Sequence, residues 1–347
     1  MDKRYFSEKV VKWYENNRRP LPWRDTNDPY KIWLSEIILQ QTRVSQGLPY
    51  YQKFISSYAT VNELAAAEEQ EVLRHWQGLG YYTRARNLHK CAKNVVEKYD
   101  GIFPKSYEEL LSLPGIGEYT AAAISSFSNK EKRAVVDGNV FRVLSRVFGI
   151  DTPINSSEGK TIFSQLANEL IANVEPDVHN QAVMEFGALC CTPKNPQCEQ
   201  CPLKRNCFAF AHDMQLVLPV KIKSKPSRKR YFNYIVYEHK GQLHMRKRDE
   251  KDIWTGLFDF QLVEKKRPVN ALKLLRDQGE NFIDAPLVSK TYKHVLSHQT
   301  IFSKFIILKK STKKGQLKKG KYYSLKQVKQ LPKPVLISRF LADHYIL

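Results

Sequence analysis

Apolar positions recur at helical spacing through the first two hundred residues and then give way to short β-rich runs. Phe6, Val10, Trp13 and Tyr14 share one face of a predicted opening helix. The run 32–42, IWLSEIILQQT, is apolar almost all round, as a buried helix is, and carries Glu36 in its middle. Leu64, Val72, Leu73 and Trp76 predict two short helices over 60–76, and a further helix is expected over 84–98, with Cys91 as a small buried residue. In SYEELLSL, Ser106 stands three residues before Glu109, a capping-box spacing that starts a short helix. The Ala-rich run Tyr119–Phe127 reads as another buried helix. Val140, Val143, Leu144, Val147 and Phe148 mark the next, and helical patterns continue over 158–173 and 178–190. Past residue 230, YFNYIVYEH, QLHMRKR, KTYKHVL and TIFSKFIIL read as strands, with helices at 269–277 and 335–345. The pattern predicts an all-α part followed by an α+β part.

Charge narrows the choice of partner. Across 347 residues, 56 Lys and Arg oppose 35 Asp and Glu, a net +21 that points to a polyanion and so to nucleic acid. No apolar run approaches the ~20 residues of a membrane span. The start, MDKRYFSEKV, lacks the apolar core of a signal peptide. The segment 219–230, PVKIKSKPSRKR, has six basic residues, two prolines and no acid, which is linker composition. Six cysteines, four of them clustered, indicate a metal site in a reducing compartment rather than a disulfide framework.

Four stretches carry candidate chemistry. Glu36, inside an apolar helix, needs a partner, a wet cavity or a raised pKa; a structural ion pair and a general acid both meet that need. Asp137 stands where an N-cap belongs, and a carboxylate there is also held ionised by the helix dipole, so it reads as a cap or as a catalytic group. In LPGIG, Gly115 and Gly117 are free to take turn conformations, and the helix after them offers unpaired amides, a seat for phosphate or an ordinary helical hairpin. In GLGYYTRARN, Leu79, Tyr81, Arg84 and Arg86 form a Gly-rich aromatic tip flanked by cations, which taken alone reads as a core pair with solvated arginines and beside the hairpin as a wedge between bases that grips phosphates. RRPLPWR, residues 18–24, reads as a proline-stiffened loop. Cys191, Cys198, Cys201 and Cys207, spaced C-x6-C-x2-C-x5-C, are four thiolates in one short loop, a better fit to an iron–sulfur cluster than to separated zinc knuckles.

LPGIGEYTA followed by VVDGNVFRV resembles the helix–hairpin–helix and catalytic-aspartate motif of the endonuclease III superfamily of DNA glycosylases. Within it, the whole chain resembles the adenine DNA glycosylases of the MutY type, most closely from Phe6 to Cys207. The resemblance implies a multidomain protein. Residues 1–218 would form an all-α glycosylase domain with the helix–hairpin–helix at 106–127 and a 4Fe-4S cluster loop at 191–207. A basic linker at 219–230 would lead to a Nudix-like α+β domain at 231–347. It implies a monofunctional base-excision repair enzyme of the cytoplasm, at the bacterial nucleoid, acting as a monomer on duplex DNA that holds adenine opposite 8-oxoguanine or guanine. Glu36 would protonate adenine and Asp137 would stabilise the oxocarbenium sugar, with Tyr119 and Asn139 lining the pocket. Gln41 and Tyr81 would fill the wedge role, with Thr42 beside them. Ser297 and His298 would read the lesion, with Leu296 in place of the family's aromatic. The glutamate-rich helix of Nudix hydrolases has no counterpart in ALKLLRDQGENF, so nucleotide hydrolysis is not expected. Bifunctional relatives carry a lysine where Tyr119 stands, so no Schiff base is expected. An oxidised-pyrimidine glycosylase/lyase and a non-catalytic lesion-binding protein are the alternatives.

Overall fold

The computed structural model describes residues 1–223, 227–280, 282, 284–309 and 319–345. It divides into two units: Met1–Ala66 with Lys90–Ser224, and Ala67–His89 with Lys225–Leu347.

The first unit is helical. Its opening helix, Lys3–Asn17, is capped by Asp2 and buries Phe6, Val10 and Tyr14. These pack with Val140, Val143, Leu144 and Val147 of helix Gly138–Phe148, Phe163 and Leu170 of helix Ser157–Ile171, and Val183 and Phe186 of helix Pro176–Leu189. Burying side chains of this size stabilises the unit by roughly 1.5–3 kcal/mol each. Helix Pro29–Leu39 starts with Asp28 as cap and Pro29 in its first turn, and buries Ile32, Trp33, Leu34, Glu36, Ile37 and Ile38. It stops at Leu39, three residues short of the expected end at 42. The backbone there breaks away, and Gln41 takes the left-handed region at φ 56°. Helix Val44–Ser57 follows, unforeseen because Gly47 and Pro49 are both poor helix formers. Gly47 serves packing: a Cβ there would lie 2.7 Å from the Leu39 side chain.

The hairpin forms as the pattern predicts, with one difference. Ser106 Oγ accepts from Glu109 N, opening helix Tyr107–Leu111. Gly115 adopts φ 80°, whereas Gly117, the N-cap of helix Glu118–Asn129, has an ordinary negative φ of −100°. Only the first glycine is there for its backbone freedom.

The second unit is built on an eight-stranded sheet among the described residues. Strand Arg228–His239 pairs in parallel with Gln299–Lys309 and antiparallel with Gln261–Lys265 and Gln242–Lys247. One face carries Ile235, Tyr237, Ile306 and Leu308 against Leu274 and Leu275 of helix Ala271–Asp277. On the other, Phe305 stacks on Phe340 of helix Val335–His344, ring centroids 3.9 Å apart. Short strands at Phe258–Asp259, Leu287–Val288 and Lys321–Ser324 were too brief to read from periodicity.

Two boundaries differ from the sequence reading. The strand begins at Arg228, inside the stretch expected as linker. Arg228 registers with Gln299, and the Arg230 guanidinium is bound by Asp252 and Glu264. Residues 224–226 of that stretch lie outside the described residues. Residues 67–89, expected within the helical domain, group instead with the C-terminal unit. Gln77 Nε2 donates to Ser338 Oγ, Tyr82 OH to Lys333 O and Arg86 to Thr255 O.

Candidate active site

Helix Pro29–Leu39, helix Glu118–Asn129 and the N-terminus of helix Gly138–Phe148 all present polar side chains to a cavity of about 610 Å³ in the first unit. Glu36, Tyr119, Asp137 and Asn139 line it, with Thr42 at its side. Glu36 is 8% exposed. Tyr119 OH donates to its Oε2 at 2.8 Å. Burial raises the Glu36 carboxyl to about 7, with Asp137 adding to the rise, while the Tyr119 hydroxyl and the Arg24 cation pull it down. A carboxyl so placed holds a proton near neutral pH and can give it up.

Asp137 is the helix cap the pattern predicted, and both of its oxygens accept hydrogen bonds. Oδ1 accepts from the amides of Asn139 and Val140, each at 2.8 Å, and Oδ2 from Asn139 Nδ2 at 2.8 Å. The expectation of a carboxylate simply held ionised by its helix is too plain. Burial raises its pKa, and the bonds from Val140 and Asn139, with the charge of Arg142, work against that rise. Arg142 in turn donates to Asn139 Oδ1 at 2.8 Å, to Gly187 O at 2.7 Å and to Cys191 O at 2.7 Å. One guanidinium thus ties the Asp137 support to the first cysteine of the cluster loop. Gly187 makes room for Asn139: a Cβ there would lie 2.6 Å from the Asn139 Cβ.

Several residues of this cavity escaped the sequence reading. Arg19 and Arg24, on the RRPLPWR loop, and Glu185, on helix Pro176–Leu189, meet at its wall. Burial opposes the charge on Glu185, but the two arginines outweigh it and hold the carboxyl at about 2. The available signal was a glutamate in the apolar run AVMEFGAL and a two-proline loop with arginines at both ends.

The cluster loop supplies hydrogen-bond donors suited to an anionic metal–sulfur group. Cys191, Cys198, Cys201 and Cys207 are half-buried, and no cysteine is in a disulfide. Arg146 Nη1 donates to Cys191 Sγ at 3.4 Å, and its other donors hold Thr192 O, Pro193 O and Leu218 O. Backbone amides at Leu203 and Lys204 face Cys201, and those at Ala209 and Phe210 face Cys207. Such donors stabilise thiolate charge and, with it, a cluster held by four cysteines. When bound, the cluster braces this loop.

In the second unit the Gly-rich tip closes on itself. Gly78 and Gly80 have positive φ, and so does Tyr81, at 47°. Leu79 is buried and Tyr81 is 42% exposed. Arg84 lies over the rings of Trp76 and Tyr81, and Arg86 donates to Thr255 O and Thr83 Oγ1. Arg84 braces the tip from within, and Arg86 fastens its base to Thr255. The Tyr81 hydroxyl meets Ser297 Oγ, so the structure brings together two residues singled out from opposite ends of the chain. Ser297 and His298 are exposed and Leu296 is half-buried. Gln41 is exposed in the first unit, as are Gly115 and Gly117.

Residues 34–169 match the HhH-GPD superfamily base excision DNA repair protein family, 191–207 the iron-sulfur binding domain of endonuclease III, and 233–343 the NUDIX domain. An adenine DNA glycosylase of Buchnera aphidicola subsp. Baizongia pistaciae is 35% identical over 342 residues, 95% of this chain and 94% of that protein. The chain belongs to the adenine DNA glycosylase family. It is therefore an enzyme of the class that hydrolyses N-glycosyl bonds, with a 4Fe-4S cluster as cofactor. The human adenine DNA glycosylase is 42% identical over 217 residues, 59% of this chain and 39% of that protein. Among solved structures, a thermostable thymine-DNA glycosylase has TM-score 0.57 and 30% identity, covering 60% of this chain and 97% of that one. The helical unit is thus a glycosylase fold and the C-terminal one a Nudix-like domain. No described helix is long and apolar enough to cross a membrane.

Proposed function

We propose that this glycosylase removes adenine paired with 8-oxoguanine, or with guanine, by hydrolysis alone. The observation that carries the reading is the meeting of a buried, proton-holding Glu36 with Asp137 in one cavity, beside Tyr119 rather than an amine. The target nucleotide leaves the base stack and enters this cavity. Glu36 gives its proton to the base, the bond between base and C1′ breaks, and its electron pair leaves with the base. Asp137 stabilises the cationic sugar until water adds at C1′ and releases a proton. Asn139 and Arg142 keep the Asp137 carboxylate turned toward that charge.

Recognition is divided between the units. In the first, Gln41 and Thr42 approach the bases, and the turn at Gly115 and Gly117 with the uncapped start of helix Glu118–Asn129 seats a phosphate. In the second, Leu79 supports Tyr81 as a wedge, Arg84 and Arg86 stiffen that wedge, and Ser297 and His298 donate to the lesion. The protein acts as a monomer, in the cytoplasm and at the nucleoid, where its substrate lies.

Base release from duplexes with adenine opposite 8-oxoguanine, guanine or thymine tests this. Release from the first two and not the third is expected. Release of an oxidised pyrimidine instead, or a stoichiometric enzyme–DNA adduct trapped by borohydride, would sink the monofunctional adenine reading.

A further inference from the structure

Four charged residues line the catalytic cavity without a part in the chemistry above: Arg19, Arg24, Arg43 and Glu185. Glu185 is 1% exposed, and its carboxylate accepts five hydrogen bonds. Oε1 takes the Arg19 amide at 3.0 Å, Arg19 Nε at 2.8 Å and Arg24 Nη1 at 2.8 Å. Oε2 takes Nη2 of Arg19 at 2.6 Å and Nη2 of Arg24 at 2.7 Å. Arg24 is fastened further by donating to Arg19 O and by lying 5.8 Å from the Tyr14 ring centroid. One arginine would satisfy a buried carboxylate. Two leave a net positive charge in the wall, held in a fixed place by a planar fork on each side.

That charge matters to Glu36. From helix Glu118–Asn129 it faces the Tyr119 hydroxyl, from helix Gly138–Phe148 the Asp137 carboxylate, and from the RRPLPWR loop the Arg24 guanidinium. Arg19, Arg43 and Glu185 complete the charged lining. A cation nearby favours the deprotonated form of a carboxyl, which cannot serve as an acid. We propose that Glu185 is a positioning residue for base release: it locks Arg19 and Arg24 onto the cavity wall and neutralises enough of their charge for Glu36 to remain a proton donor. This rests on the reading of Glu36 as the acid.

The test is single-turnover release of adenine from an adenine:8-oxoguanine duplex by the full chain with its cluster, followed against pH. The wild-type rate falls as pH rises through the Glu36 titration. Glu185→Gln moves that fall about one pH unit lower. Arg24→Gln moves it higher, and Glu185→Asp, which keeps the charge, leaves it in place. A merely structural Glu185 would lower rate or stability without moving the profile in opposite directions. If both neutral variants bind the duplex and keep the wild-type profile, the proposal is overturned. Should Glu185→Gln not fold, the Arg24→Gln profile decides alone: an upward move supports the proposal and a fixed profile defeats it. Undiminished release by Glu36→Gln would instead strike at the acid reading itself.

Discussion

The Tyr119 hydroxyl donates to Glu36 Oε2 at 2.8 Å, placing a neutral donor against the acid proposed for base release. This bond favours the ionised carboxyl, opposing the burial that raises it to about 7. Tyr119→Phe removes the restraint. The Glu36 pKa then rises, and the fall of activity with pH moves about one unit higher. Release rates of Tyr119→Phe measured from pH 5 to 9 check the direction; a shift to lower pH would contradict the assigned donor.

Glu36→Gln should separate chemistry from stability. Loss of the acid is expected to cost at least about a hundredfold in adenine release, with duplex affinity kept. The same substitution stabilises the fold in alkaline solution. The folded value of about 7 lies above the ordinary 4.5, so the folded chain binds this proton more tightly and loses stability as pH rises between the two. Above that window the buried charge costs up to about 3 kcal/mol, and the variant is relieved of it. Thermal midpoints at pH 5 and pH 8.5 should show a gain for Glu36→Gln that is larger at the higher pH.

Asp137→Asn keeps much of the helix cap but removes the charge. Release should drop at least about a hundredfold while the helical far-ultraviolet signal and duplex binding persist. If release stayed at the wild-type rate, Asp137 would be a cap and nothing more.

Arg142→Gln should disturb two places at once. Its guanidinium holds Asn139, which holds Asp137, and it also holds the carbonyl of Cys191. Base release and retention of the cluster's visible absorbance are both expected to fall, each by several-fold. A variant with slow release and a fully retained cluster would show the two ends to be independent.

Ser297→Ala and His298→Ala should leave release from adenine:guanine nearly as it was while lowering the preference for 8-oxoguanine, by about tenfold together. Relative single-turnover rates on the two duplexes give the answer, and an unchanged ratio would remove both residues from lesion reading.

Much of this was legible in the chain itself. Glu36 stood out because a charge in an all-round apolar helix has no cheap place to go, and Asp137 because a cap precedes a clean apolar face. The hairpin glycines were equally plain, although only Gly115 needs its freedom. What periodicity could not supply was tertiary pairing. Nothing local says that Glu185 meets arginines more than 160 residues earlier, because such a contact depends on which helices become neighbours. Helix Val44–Ser57 was hidden for a similar reason: Gly47 is there to admit Leu39, not to end a helix. The strand start at Arg228 was masked by a run of cations, of which Arg230 turns inward onto Asp252 and Glu264 while Arg228 and Lys229 stay exposed.

Residues 67–89 take their partners from the loops and last helix of the C-terminal unit, and this bears on how the chain can be dissected. A protease cutting near residue 225, or a clone stopped there, would strip the Gly-rich tip of Ser297, Thr255, Lys333 and Ser338 in one stroke. The severed N-terminal piece would keep its acids and its cysteines but carry a tip with no scaffold. The natural seam of this molecule therefore does not coincide with any single cut in its sequence.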